Sequence, residues 1–347
     1  MYLTGPTVWL GQSVDTSSIC SVHSELSRMP FLTSLGCAIR KPSLKRTHFT
    51  SDLKAKLGLA GPLMVDSGGF ALMMNPRSGW TTRDVSNLIK NMSAEVFVSL
   101  DHPPSKRDTA SEHRRKIDLS VRNYRVLLER FPSKIIMPVI HGRSILEIDR
   151  SIHLTRRQNP EQSWIGLGGI VPLLQNRIVS REISRIGPEA FIALSLSKIR
   201  KAFPHATIHA FGAGGTRTFP AVFAFGADSG DSIGWRQAAG FGSIFLPLKS
   251  QRVVKWNEKT GPPRKLLDRS DLDQLELCEC PVCASRVNAA SSLAAFKKSF
   301  VDRSIHNAWT LANQVRYWPL GRNRMLALVQ QGHFGSAWAK AAHLACS

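Results

Sequence analysis

The chain has 347 residues and carries 46 Lys+Arg against 25 Asp+Glu, a formal charge of +21. Hydrophobic residues make up 43%, which excludes a wholly disordered chain, and no apolar run approaches the ~18 residues of a membrane span. The N-terminus lacks a basic segment followed by an apolar one, so a cytoplasmic protein is expected, neither secreted nor membrane-bound. The charge favours nucleic acid as partner, because counterion release drives such binding. The cations are scattered, at Lys41, Lys45 and Arg46, at Arg114, Arg115 and Lys116, at Arg156 and Arg157, at Lys297 and Lys298, and at Arg322 and Arg324.

From about residue 30, short β-rich apolar runs alternate with amphipathic stretches. The runs are FLTSLG (31–36), LMVDSGG (63–69), VFVSLD (96–101), KIIMPVIHG (134–142), WIGLGG (164–169), TIHAFGAGG (207–215), AVFAFGADSGD (221–231) and a weaker GSIFLP (242–247). Between them, residues 111–131 read as a helix with Ile117, Val121, Tyr124 and Leu128 on one face, stopped by Pro132. Strand–helix alternation predicts an α/β fold with a parallel sheet, and seven or eight units predict a (β/α)8 TIM barrel; a doubly wound sheet is the alternative. The predicted organisation is a barrel with an N-terminal extension over 1–270, a small zinc-binding subdomain over 271–325 and a C-terminal tail or helix over 326–347. The stretch from Lys255 to Asp271, with KTGPPRK, reads as a linker.

Active sites of such barrels lie at the C-terminal strand ends, which here carry Asp66, Asp101, His141, Gly168 and Gly169, Gly212 to Gly215, Asp228 and Asp231. A lone Asp at a strand end is commonly a helix cap or turn former; several on one rim suit paired-carboxylate chemistry at a glycosidic bond. The six cysteines form no disulfide scaffold. Cys278, Cys280 and Cys283 are clustered in LCECPVC, and His306 follows on a segment where Val301, Ile305, Trp309 and Ala312 fall at helical spacing. Three close thiolates and an imidazole are the ligand set of a closed, structural zinc site.

DSGGF (66–70), GLGGIVPLL (166–174), FGAGG (211–215), GADSGD (226–231) and the spacing CxCxxCx22H together resemble the tRNA-guanine transglycosylase superfamily, over roughly residues 60 to 310. The resemblance implies a (β/α)8 barrel with a structural Zn2+ and a base exchange in which Asp231 attacks the sugar C1′ and Asp66 is the general acid/base. It implies that Asp101 reads the base edge, that the DSGGF turn (Ser67, Gly68, Gly69, Phe70) and Ile170 and Gly212 line the base site, and that Gly168 and Gly169 offer amides to the base carbonyl. His141 stands where the family usually has Gln, so its part in binding the base is an expectation of position only. Asp228 is the rival nucleophile.

Two departures narrow the resemblance. No Glu follows Gly168-Gly169, where bacterial tRNA enzymes use one to bind an ammonium; an uncharged pocket suits 7-cyano-7-deazaguanine. Archaeosine-type enzymes look similar here, yet usually carry RNA-binding domains after the barrel, for which 347 residues leave no room. After Asp231, the run DSIGWRQ is similar to the 7-deazaguanine DNA transglycosylases of restriction-modification systems. That similarity predicts Trp235 as a base-stacking or wedging residue and Arg236 as a phosphate contact; the alternative for Trp235 is packing in the barrel wall. The expected function is therefore exchange of guanine in DNA for 7-cyano-7-deazaguanine, with tRNA as the alternative substrate and a degenerate nucleic-acid-binding paralogue as the non-enzymatic rival. An ATPase helper and a homodimer are possible partners on this view.

Overall fold

Parallel strands with helices between them wind into a barrel in the computed structural model, which describes residues 3, 5–43, 49, 52–105, 107–175, 180–256, 265–318 and 321–346. The strands are β1 (Thr7–Gly11), β2 (Phe31–Ser34), β3 (Leu63–Asp66), β4 (Val96–Val98), β5 (Ile136–Met137), β6 (Val139–Ile140), β7 (Trp164–Leu167), β8 (Thr207–Ala210) and β9 (Ser229–Ser232). They pair in parallel in the order β5-β4-β3-β2-β1-β9-β8-β7-β6. β5 and β6 are two halves of one strand, interrupted by Pro138, which has no N–H for the ladder but whose carbonyl still accepts from Gly166 N at 2.8 Å. The first half pairs with β4 and the second with β7, so the ring closes as the predicted TIM-like barrel.

One strand was not predicted, and two predicted strands are corrected. β1 lies in the stretch expected to be an N-terminal extension; it is a five-residue run with no amphipathic segment before it to announce an alternation. The run 221–231 is split: Thr218–Ala224 is a helix burying Phe219, Val222 and Phe223, and only Ser229–Ser232 is strand. Periodicity cannot separate a short buried strand from a short buried helix. In 242–247 only Ser243–Ile244 (β10) pairs, antiparallel with Arg252–Val253 (β11), as a ribbon outside the barrel.

Strand side chains alternate between the barrel interior and the helices. Trp9, Met64, Val96, Met137 and Trp164 belong to an interior plug in which the two tryptophans meet edge to face, centroids 6.1 Å apart. Their neighbours Val8, Leu10, Leu63, Val65 and Ile165 pack outward on the helices. The same parity turns Ser34 and Asp66, paired in register two residues beyond Leu32 and Met64, and Asp231, in register with Trp9, toward the interior.

The predicted helix over 111–131 spans Ala110–Arg130, opened by a Thr109/Glu112 capping box. The Phe300–Asn313 helix packs on β1 and on the Gly234–Gly240 helix that follows β9. Ser336–Cys346 packs on Pro188–Ala202, and Arg322–Gln330 on Thr218–Ala224. The expected boundary at 325/326 thus falls inside a helix, and these C-terminal helices join the barrel's outer wall. Of the expected linker, 257–264 lie outside the described residues, and its end is the start of the Arg269–Glu276 helix, capped by Asp268. Among the described residues no helix is long and apolar enough to cross a membrane.

Candidate active site and metal centre

Asp66 ends β3. Its Oδ2 accepts from Ser34 Oγ at 2.5 Å and from Gly68 N at 3.2 Å. Burial pushes its carboxyl up to about 7, and the charges of Asp101 and Asp231 add to the rise against the two hydrogen bonds. Two like charges strong enough to matter are therefore near it, so Asp66, Asp101 and Asp231 form one cluster.

The DSGGF turn builds the wall beside that cluster. Gly68 takes φ 92° as it enters the Gly69–Met74 helix. A Cβ on Gly69 would lie 1.9 Å from Asp101 Oδ1, so only glycine lets this carboxylate approach. Ser67 is a structural residue rather than a free ligand group: its buried Oγ donates to Ser99 O at 3.0 Å, and its carbonyl accepts from Trp80 Nε1. Phe70, about half exposed, is free to face a ligand.

His141 and Asp101 are both buried, with His141 Nε2 2.6 Å from Asp101 Oδ2; the carboxylate accepts, so the ring donates. His141 Nδ1 has no partner among the described residues. The Cε1 edge of the ring comes up against Gly168, where a Cβ would lie 2.1 Å from Cε1. The Gly168 amide is not available for a base: it donates to Ile140 O at 3.0 Å. Gly169, at φ 79°, opens the Ile170–Leu174 helix, and Ile170 is buried in the wall.

Asp231 Oδ1 accepts from the Gly212 amide at 2.6 Å, and His209 Nε2 lies 3.2 Å from the same oxygen. Gly212, at φ 73°, is thus engaged with Asp231 rather than held open for substrate; a Cβ there would meet Val171 Cγ2 at 2.2 Å. His209 was not foreseen, although its place between outward-facing Ile208 and Ala210 turns it inward. The rival Asp228 lies before the start of β9, where Arg200 and Arg322 both bind its carboxylate and Ile208 N donates to it at 2.7 Å. It is an internal clamp, and Arg322 belongs to that clamp rather than to a nucleic-acid surface.

Trp235 is corrected. Its side chain is fully buried, and its indole N–H donates to Gly11 O at 3.0 Å, so it is a barrel-wall residue and no wedge or stacking platform. Its neighbour Arg236 is partly exposed, with one guanidinium nitrogen on Ser17 O at 2.9 Å.

The four predicted metal ligands meet. Cys278, Cys280 and Cys283 Sγ lie 3.7, 3.3 and 3.7 Å from His306 Nδ1. Tetrahedral zinc with ordinary bond lengths would set each sulfur and nitrogen about 3.6 Å apart. His306 Nε2 is 2.9 Å from Phe245 O, a group that only accepts, so Nε2 carries the proton and the Nδ1 lone pair faces the thiols. Among themselves the thiols conflict: contacts with Cys280 and Cys283 pull Cys278 down, while contacts with Cys278 and Cys283 push Cys280 up. A shared dication resolves this, and the donor set fits Zn2+ in a closed, structural site. His306 is on the Phe300–Asn313 helix, whose Asn307 donates to Trp235 O and Ser243 O and accepts from Phe245 N. The metal knuckle is thereby tied to the helix just after Asp231.

No family model matches the sequence. The chain is 21% identical over 342 residues to the tRNA-guanine(15) transglycosylase of Pyrococcus furiosus, covering 93% of this chain and 51% of the relative. It is 25% identical over 325 residues to that of Pyrococcus abyssi (88% and 50%) and 22% over 297 residues to that of Methanosarcina barkeri (84% and 54%). The chain spans about half the length of these relatives.

Proposed function

We propose that this chain, a distant homologue of the tRNA-guanine transglycosylase superfamily, removes guanine from a nucleic acid and installs a 7-deazapurine in its place. The observation that carries the reading is a pair of neighbouring carboxyls in opposed settings: Asp66 is raised to about 7, and Asp231 is held by donors on one oxygen. In the proposed reaction Asp231 attacks C1′, and the C1′–N9 bond breaks with its electron pair going to guanine, which takes a proton from Asp66. The 7-deazapurine then gives its N9 proton to Asp66 and displaces the Asp231 carboxylate. Asp101 with His141 reads the base edge, the Gly169 amide meets its carbonyl, Phe70 covers its face and Arg236 contacts phosphate.

We take the incoming base to be 7-cyano-7-deazaguanine, since the segment after Gly169 is apolar and offers a nitrile no opposing charge. We take the nucleic acid to be DNA, on the likeness of DSIGWRQ to the DNA enzymes; with Trp235 buried, that argument rests on the sequence pattern and Arg236. An ATPase helper belongs to the proposal for duplex substrate, where unstacking a guanine costs a few kcal/mol. The names of the relatives favour tRNA as the second reading. Labelled 7-cyano-7-deazaguanine offered with duplex DNA, single-stranded DNA and bulk tRNA decides. Incorporation into DNA alone is expected; incorporation into tRNA alone overturns the DNA assignment, and none in any arm overturns base exchange.

Guanine release needs Asp66 protonated, so its rate is expected to fall as pH rises through about 7. Ser34 donates to the Asp66 anion and so holds this value down. Ser34→Ala therefore moves the alkaline limb of the pH–rate profile to higher pH. A limb that stays put or moves down contradicts the assignment of Asp66 as the acid.

A further inference from the structure

Building on the base-exchange reading, we infer that His209 is a positioning residue that decides which oxygen of Asp231 attacks C1′. His209 is fully buried on β8, and its Nε2 and the Gly212 amide both point to Asp231 Oδ1, at 3.2 and 2.6 Å. Among the described residues Oδ2 accepts no hydrogen bond, and the Asp231 side chain keeps 16% of its surface open. Two donors on one oxygen draw its lone pairs into hydrogen bonds and stop the carboxylate from rotating. The other oxygen is left as the nucleophile.

The ring is itself held from behind. His209 Nδ1 lies 2.9 Å from the buried Ser229 Oγ, one strand over. Because the ring N–H at Nε2 donates to Asp231, Nδ1 is the bare nitrogen, and the Ser229 hydroxyl donates to it, fixing the tautomer. Phe211 meets the ring edge-on at 4.5 Å. Gly166 makes room for Phe211, since a Cβ there would lie 2.5 Å from its Cε2.

The arrangement serves both halves of the exchange. Attack forms the Oδ2–C1′ bond and breaks C1′–N9, leaving the pair on guanine, which Asp66 protonates. Oδ1 then becomes the ester carbonyl oxygen with both donors still in place. When the incoming base attacks C1′, the Oδ2–C1′ pair returns to a carboxylate whose charge those donors receive.

The test uses the full chain, with covalent adduct formation in single turnover and steady-state kcat and KM for labelled base. His209→Leu is expected to lower kcat and adduct formation by about 10²-fold with KM nearly unchanged, as loss of one oriented donor does. His209→Gln, which returns a side-chain N–H, is expected to recover at least about a tenfold share of that loss. Full activity of His209→Leu, an effect on KM alone, or a Gln variant no better than Leu overturns the inference while wild-type exchange stands. A wild type that neither forms an adduct nor exchanges base overturns the base-exchange reading itself.

Discussion

Asp231→Ala is expected to lower base exchange by on the order of 10⁴-fold or more and to abolish the covalent adduct, while nucleic-acid binding persists. No neighbouring group substitutes for it. Asp228, three residues earlier, is closed off by Arg200 and Arg322 below the start of β9. Asp66, its carboxyl pushed up to about 7, is about half protonated at neutral pH, and the proposed reaction assigns it to the departing base. The substitution leaves the donors of His209 and Gly212 facing a small void, at a stability cost of about 1–3 kcal/mol, so the variant remains folded. Denaturing-gel capture of protein on substrate, beside the exchange assay, checks the result. An Ala variant that still forms the adduct shows that the attacking oxygen lies elsewhere.

The second large effect belongs to the metal centre. Elemental analysis is expected to find one zinc per chain, and Cys280→Ala or strong chelation is expected to remove it. Apparent free energies of structural zinc sites reach ~10 kcal/mol, so a stability loss on the order of several kcal/mol follows, read as a lower melting temperature. Base exchange should fall with it. His306 is on the Phe300–Asn313 helix, and Asn307 on that helix holds the Trp235 carbonyl four residues beyond Asp231. A zinc-free protein that melts and reacts as before would sink the site.

The parts of this molecule legible in its sequence are those where one residue type suffices for one physical demand. Three thiols and a histidine have few uses in common besides a metal, and the four ligands do converge. Gly69 was legible as part of a motif, and the structure supplies its cause, the close passage of Asp101. What stayed hidden depends on partners far along the chain. Trp235 reads equally as a surface aromatic or a wall residue until Gly11 is seen to accept its indole proton. Asp228 and Asp231 stand three residues apart in one run, and the two arginines from distant helices that close off Asp228 cannot be read from that run. His209 belongs to none of the motifs; its meaning lies in Asp231 and Ser229 on the next strand.

The pairing of β1 with β9 also bears on how the site is assembled. Thr7 to Leu10 lie in register with Ser229 to Ser232, and the Trp235–Gly11 hydrogen bond spans 224 positions of sequence. Contacts this non-local form late and slowly, because the entropy of closing so long a loop is lost before the contact can repay it. Every acidic residue of the site is present on a chain that begins after Gly11, yet the strand that seats Asp231 then has one unpaired edge. The two strands that flank this seam lie more than two hundred positions apart, so the site holding Asp231 is complete only once β1 has paired with β9.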